Sequence, residues 1–149
     1  MGALIPQLDQ SGGAVQWVRT YLGPTIGWVH LPVQPARKVS SAASPVTVGI
    51  GDYGLLVTTL AAPLTINLPS VTEWVQQSIK THPQMMLGSL ELSLWIKDMT
   101  GNAPANNITI QPFGPDTIDA LVATPFKIIQ ARQLLRLYPM PDLSGWFSG

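Results

Sequence analysis

Between Leu90 and Lys97 the chain alternates strictly, with Leu90, Leu92, Leu94 and Ile96 set against Glu91, Ser93, Trp95 and Lys97. Successive side chains of a β-strand point to opposite faces, so this period predicts a strand with one face buried and one facing outward. A helix would scatter the same leucines around its circumference. The rest of the chain beyond Pro45 follows suit. Val46, Val48, Ile50, Val57, Thr58, Thr59, Thr65 and Ile66 fall in short β-branched runs, broken at Gly49, Gly51 and Asp52 and again at Ala61, Ala62 and Pro63. Ile108 and Ile110 share one face of a returning strand, and Leu135, Arg136 and Leu137 alternate near the C-terminus. One segment departs from this period. Ser70 followed by Glu73 forms a capping box, and Val71, Trp74, Val75 and Ile79 recur at helical spacing, which predicts one short helix ending before Pro83. Many short strands with a single helix predict a mainly β chain, a small antiparallel β-sandwich or jelly roll.

The first 44 residues read differently. Gly12, Gly13, Gly23, Pro24, Pro32 and Pro35 are interleaved with Trp17, Val18, Tyr21, Leu22, Trp28 and Val29. Prolines and glycines at that spacing disfavour long helices and central strands, while the aromatic residues argue against disorder. An extended N-terminal arm over 1–44, followed by a β domain over 45–149, satisfies both. An edge strand and loop of the same domain is the alternative. On the arm reading Trp17, Tyr21 and Trp28 are the candidate contacts to a partner surface.

Composition narrows the function classes. Eight basic and eight acidic residues give no formal net charge, which disfavours nucleic acid as a partner, because phosphate binding draws on a basic field. Charged residues are only 11% and hydrophobic residues 46%, so much of the surface is expected to face protein, and self-association follows. There is no cysteine, hence no disulfide and no thiolate metal site. The opening residues lack a basic n-region and a long apolar core, and no apolar run approaches the ~20 residues of a membrane span. The expectation is a protein made in a cytoplasm, neither secreted by its own signal nor membrane-bound.

Candidate chemistry is sparse. Gly49-Ile50-Gly51-Asp52-Tyr53-Gly54 matches the dinucleotide-binding glycine pattern, but that site requires a helix opening at the third glycine, and Leu55 to Thr59 is β-type. No cofactor is therefore expected. Asp98, Asp116 and Asp119 could be imagined as a glycosidase carboxylate pair. Each has a simpler reading at a strand end, where an aspartate accepts backbone N–H groups and shapes a turn. His30 and His82 have no second ligand at metal spacing, and no nucleophile elbow or phosphate loop is present. The tryptophans at 17, 28, 74, 95 and 146 are scattered, which favours core and interface roles over a sugar platform.

From Leu92 to Asp119 the residues run LSLWIKDMTGNAPANNITIQPFGPDTID. This order resembles the repeated β module of tailed-bacteriophage surface proteins: capsid-decoration or cement proteins, head fibres and tail fibres. In that module a strand ends in aspartate (Asp98), and Gly-Asn-Ala (Gly101, Asn102, Ala103) follows. Next come Asn-Asn-Ile-Thr-Ile (Asn106 to Ile110), a Pro/Gly turn and Asp-Thr-Ile-Asp (Asp116 to Asp119). The glycine that closes the pattern is replaced by Ala120. Upstream, Asp52-Tyr53 through Leu64-Thr65-Ile66-Asn67-Leu68-Pro69 resembles the module's hairpin; downstream, Asp142 to Trp146 resembles its closing acidic turn. The likeness spans roughly Val46 to Trp146. It implies a non-enzymatic virion protein without cofactor or metal, assembled in the bacterial cytoplasm. Asp98, Gly101, Asn102, Asn107, Asp116 and Asp119 would be its turn-forming residues. A decoration or cement protein would bind itself, a trimer being favoured over a dimer, and the major capsid protein. A head fibre or tail appendage displaying a glycan-binding, host-recognition module is the alternative.

Overall fold

The computed structural model describes residues 5–8, 14–22, 25–31, 36–81, 92–122 and 124–149, the first three stretches as backbone. The chain divides into two compact units, Met1–Pro35 and Ala36–Gly149. The first is a three-stranded antiparallel sheet of β1 (Ile5–Leu8), β2 (Ala14–Leu22) and β3 (Thr25–Leu31), in that order. An unpaired, extended arm is thus replaced by a paired meander. The reason lies in where the breakers fall: Gly12 and Gly13 separate β1 from β2, Gly23 and Pro24 separate β2 from β3, and β2 itself contains neither residue type. Pro6 lies within β1, an edge strand, where a missing N–H is tolerated.

The second unit begins earlier than Pro45. Its strands are β4 (Arg37–Ser40), β5 (Val46–Thr47), β6 (Gly54–Thr59), β7 (Leu64–Asn67), β8 (Leu94–Asp98), β9 (Ile108–Gln111) and β10 (Thr117–Ile118). They continue as β11 (Leu121–Val122), β12 (Phe126–Ile128), β13 (Leu134–Pro139) and β14 (Gly145–Ser148), with the helix α1 (Val71–Thr81) between β7 and β8. Residues 37–40, which fall within the expected 1–44 arm, form β4 and pair in parallel with β6. The expected Leu90–Lys97 strand is described from Leu94; its first residues lie outside the described part.

Two sheets result: a seven-stranded one ordered β11-β10-β14-β13-β8-β6-β4, and a four-stranded one ordered β12-β9-β7-β5. Consecutive strands do not form hairpins through most of this unit. β4, β6 and β8 stack in parallel in the large sheet, while β5, β7 and β9 stack in parallel in the small one. The chain therefore passes from one sheet to the other at every step, completing three stacked turns. This overturns the antiparallel pairing expected across Gly101 and Asn102, and across the segment between β6 and β7. Side-chain alternation and turn residues are the same whether a strand returns beside its predecessor or crosses to the facing sheet, so sequence period alone does not separate the two. Antiparallel pairs enter only later, where β11 joins β10, β12 joins β9, β13 joins β8, and β14 joins β13.

Both sheets feed one core. Val46, Ile66 and Ile110 occupy successive turns of the small sheet in register, as do Leu64, Ile108 and Ile128. Leu55, Ile96 and Leu135 do the same in the large sheet. Burying each such side chain is worth about 1.5–3 kcal/mol, and stacking like on like gives each turn the same apolar inner surface, as in other coiled repeats. The helix contributes Val71 and Trp74 to this core, both fully buried. No helix among the described residues is long and apolar enough to cross a membrane.

Candidate functional site

Asp98 ends β8 at an inward-facing position, in register with buried Val57, and is itself fully buried. A bare carboxylate there would be costly. Instead it accepts five hydrogen bonds. Oδ1 takes the Thr100 N–H at 2.8 Å, the Thr100 hydroxyl at 2.7 Å and the Gly101 N–H at 3.0 Å. Oδ2 takes the Ala103 N–H at 3.3 Å and the Arg132 N–H at 3.2 Å. Burial pushes the carboxyl upward, yet the hydrogen bonds from Thr100, Arg132 and Gly101 together outweigh it and hold Asp98 below its ordinary value. The chain can leave β8 this way because Gly101 has φ +80, a region that side chains with a Cβ rarely adopt.

Asn102 and Asn107 complete the crossing. The Asn102 carbonyl accepts the Ala105 and Asn106 N–H groups at 3.0 and 2.9 Å, and the Asn106 side chain donates to the Leu60 carbonyl at 3.1 Å. The Asn107 carbonyl accepts the Leu64 N–H at 3.1 Å. These last two bonds tie the crossing after β8 to the crossing after β6, one turn away. Arg132, with φ 58, donates its guanidinium to the Met99 carbonyl at 3.3 Å, and its own carbonyl accepts the Lys97 ammonium. Asp98 therefore pins the Arg132 turn as well as its own.

Asp116 and Asp119 are also fully engaged. Asp116 is nearly buried, and its Oδ2 accepts the Val71 N–H at 2.8 Å, satisfying a free donor at the start of α1. Ser70 Oγ accepts the Glu73 N–H at 3.5 Å, a long version of the expected cap. Asp119 accepts the Ser148 N–H at 2.7 Å and the Ser148 hydroxyl at 2.5 Å. It also opens the two-residue turn between β10 and β11, with φ 54, followed by Ala120 at φ 62. Two left-handed residues in a two-residue hairpin are characteristic of a type I′ turn, whose second position favours glycine. Ala120 thus occupies the place where the resembled module has glycine.

The carboxylates considered for glycoside hydrolysis are thus each occupied by N–H or O–H donors of the fold. Among the described residues no three histidine, aspartate or glutamate side chains gather as a metal site. The glycine pattern at 49–54 is a turn closed by Asp52, whose Oδ2 accepts the Gly49 N–H at 2.8 Å and pairs with Arg37 at 3.1 Å. Its third glycine opens strand β6 rather than a helix and lies beneath the Trp95 ring, which a Cβ would overlap.

Trp17 and Tyr21 lie on β2 and Trp28 on β3, where Trp28 is opposite Arg19, midway between the other two. Their side chains are outside the described part. Sequence reasoning missed the aromatic group at the core's end: Trp74 packs between Tyr53 at 5.5 Å and Trp146 at 5.2 Å, and its Nε1–H donates to the Asp52 carbonyl at 3.1 Å. It also missed Asp116 as the cap of a helix 45 residues upstream. The available signal was that Trp74 falls at helical spacing on the apolar face of the predicted helix and that Asp116 stands at a recognised turn. No protein-family model and no curated protein matches the chain.

Proposed function

We propose that the chain is a structural, non-enzymatic protein of a tailed-bacteriophage virion, a capsid decoration or cement protein that stabilises the head by binding the major capsid protein. The observation that carries this reading is the use made of the module residues. Asp98, Gly101, Asn102, Asn107, Asp116 and Asp119 all serve to lock crossings and turns, the role expected of a scaffold built for rigidity rather than turnover. We read the two facing sheets as a small sandwich wound in stacked turns. The low charge content favours a homo-oligomer, and the resemblance to virion surface proteins puts a trimer ahead of a dimer.

Decoration is tested on particles. Purified chain mixed with undecorated heads of the phage that encodes it should saturate the shell at hundreds of copies and raise its resistance to heat. Failure to bind overturns the reading, and a copy number near a dozen replaces it with the head-fibre or tail-appendage reading. Light scattering of the free chain should give a multiple of 16.0 kDa.

A further inference from the structure

The outward face of the large sheet has a composition that its core does not explain. In register across β4, β6, β8 and β13 lie Lys38, Leu56, Lys97 and Leu134. In the adjoining row Trp95 stands between Gly54 and Arg136. Beyond them Tyr138 is paired with Phe147, which is 47% exposed. At the spacing of strands and of alternate residues, this face measures about 14 Å each way. The single carboxylate within these strands, Asp98, points inward and is buried. Arg37–Asp52 is the one ion pair among the described residues, so Lys38 and Arg136, both exposed, form no ion pair with any described side-chain carboxylate.

Trp95 is the centre of the face. Its indole packs against the Gly54 backbone, close enough that a Cβ on Gly54 would overlap it, and the side chain remains partly exposed. A flat aromatic ring flush with a surface stacks well on the C–H face of a pyranose ring, and adjacent cations suit a sugar that carries carboxylates. A second copy docked face to face would bring like charges together, which disfavours self-pairing here.

We propose that this face binds an acidic polysaccharide, with Trp95 as the stacking platform and Arg136 and Lys38 as carboxylate-binding cations. Such binding would not depend on whether the chain rides on a phage particle. The test titrates the full chain with alginate, with neutral dextran and with polyglutamate, following the indole N–H signals by NMR; the Trp95 signal is assigned as the one lost in Trp95→Phe. Alginate should shift the Trp95 signal saturably and dextran should not. Arg136→Glu, at an exposed position, should weaken alginate binding at least about tenfold with unchanged melting, and raising salt should weaken it further. Trp95→Leu should do the same, its melting curve serving as the check on folding. No saturable alginate binding, or binding that survives both variants, overturns the proposal. Equal affinity for polyglutamate also overturns it and makes the face a dock for an acidic protein surface.

Discussion

Single residues in this protein carry consequences well beyond their own position, and Asp98 is the clearest case. Replacing it with asparagine substitutes an N–H₂ group for one carboxylate oxygen, setting donor against donor at Ala103 and Arg132 or at Thr100 and Gly101. The expected loss is about 2–4 kcal/mol, measured by denaturant unfolding. The pH dependence has a definite sign. Because the folded-state pKa lies below the ordinary value of 3.8, Asp98 stabilises the fold above that pH, and the contribution is lost as pH falls through the lowered value. Melting curves taken from about pH 6 down to about pH 2 should therefore show a shallower acid limb for Asp98→Asn than for the parent. Ala120 gives the opposite prediction: with φ 62 it is held in a region glycine enters freely, so Ala120→Gly should raise stability by about 0.5–1 kcal/mol. At Gly101, φ +80 makes a valine cost about 1–3 kcal/mol.

At the scale of elements, α1 was legible from its own residues, and its observed span matches the Ser70–Glu73 box and the apolar spacing that predicted it. What holds it was not legible. Its first N–H is satisfied from Asp116, and its buried face is completed by Trp146, both remote in sequence. Asp116→Ala should therefore destabilise the protein by about 1–2 kcal/mol, with an early loss of helix signal in circular dichroism. The strands teach the same lesson from the other side. The alternation of Leu94, Ile96, Ile108 and Ile110 identified their buried faces correctly, since all four are fully buried. It misled as to their neighbours, because β8 and β9 belong to different sheets.

On the scale of the whole molecule, the boundary between the two compact units sets a sharp test. Deleting residues 1–35 should leave Ala36–Gly149 folded with a cooperative melt, whereas extending the deletion through Ser40 removes β4, uncovers the edge of β6 and should lower the melting temperature markedly. Local chemistry determined a good deal by itself: the mainly β character, the single helix and the turn-forming aspartates all follow from side-chain period and from the capacity of short polar groups to bond nearby backbone. Tertiary structure alone decided which strands became neighbours, that β4, β6 and β8 and likewise β5, β7 and β9 stack in parallel, and that residues 37–40 join the body. Period and turn propensity are properties of a few adjacent residues. Pairing is chosen by the apolar surface that the assembled sheets can bury together, and by remote donors such as Arg132 and Val71 that need a carboxylate.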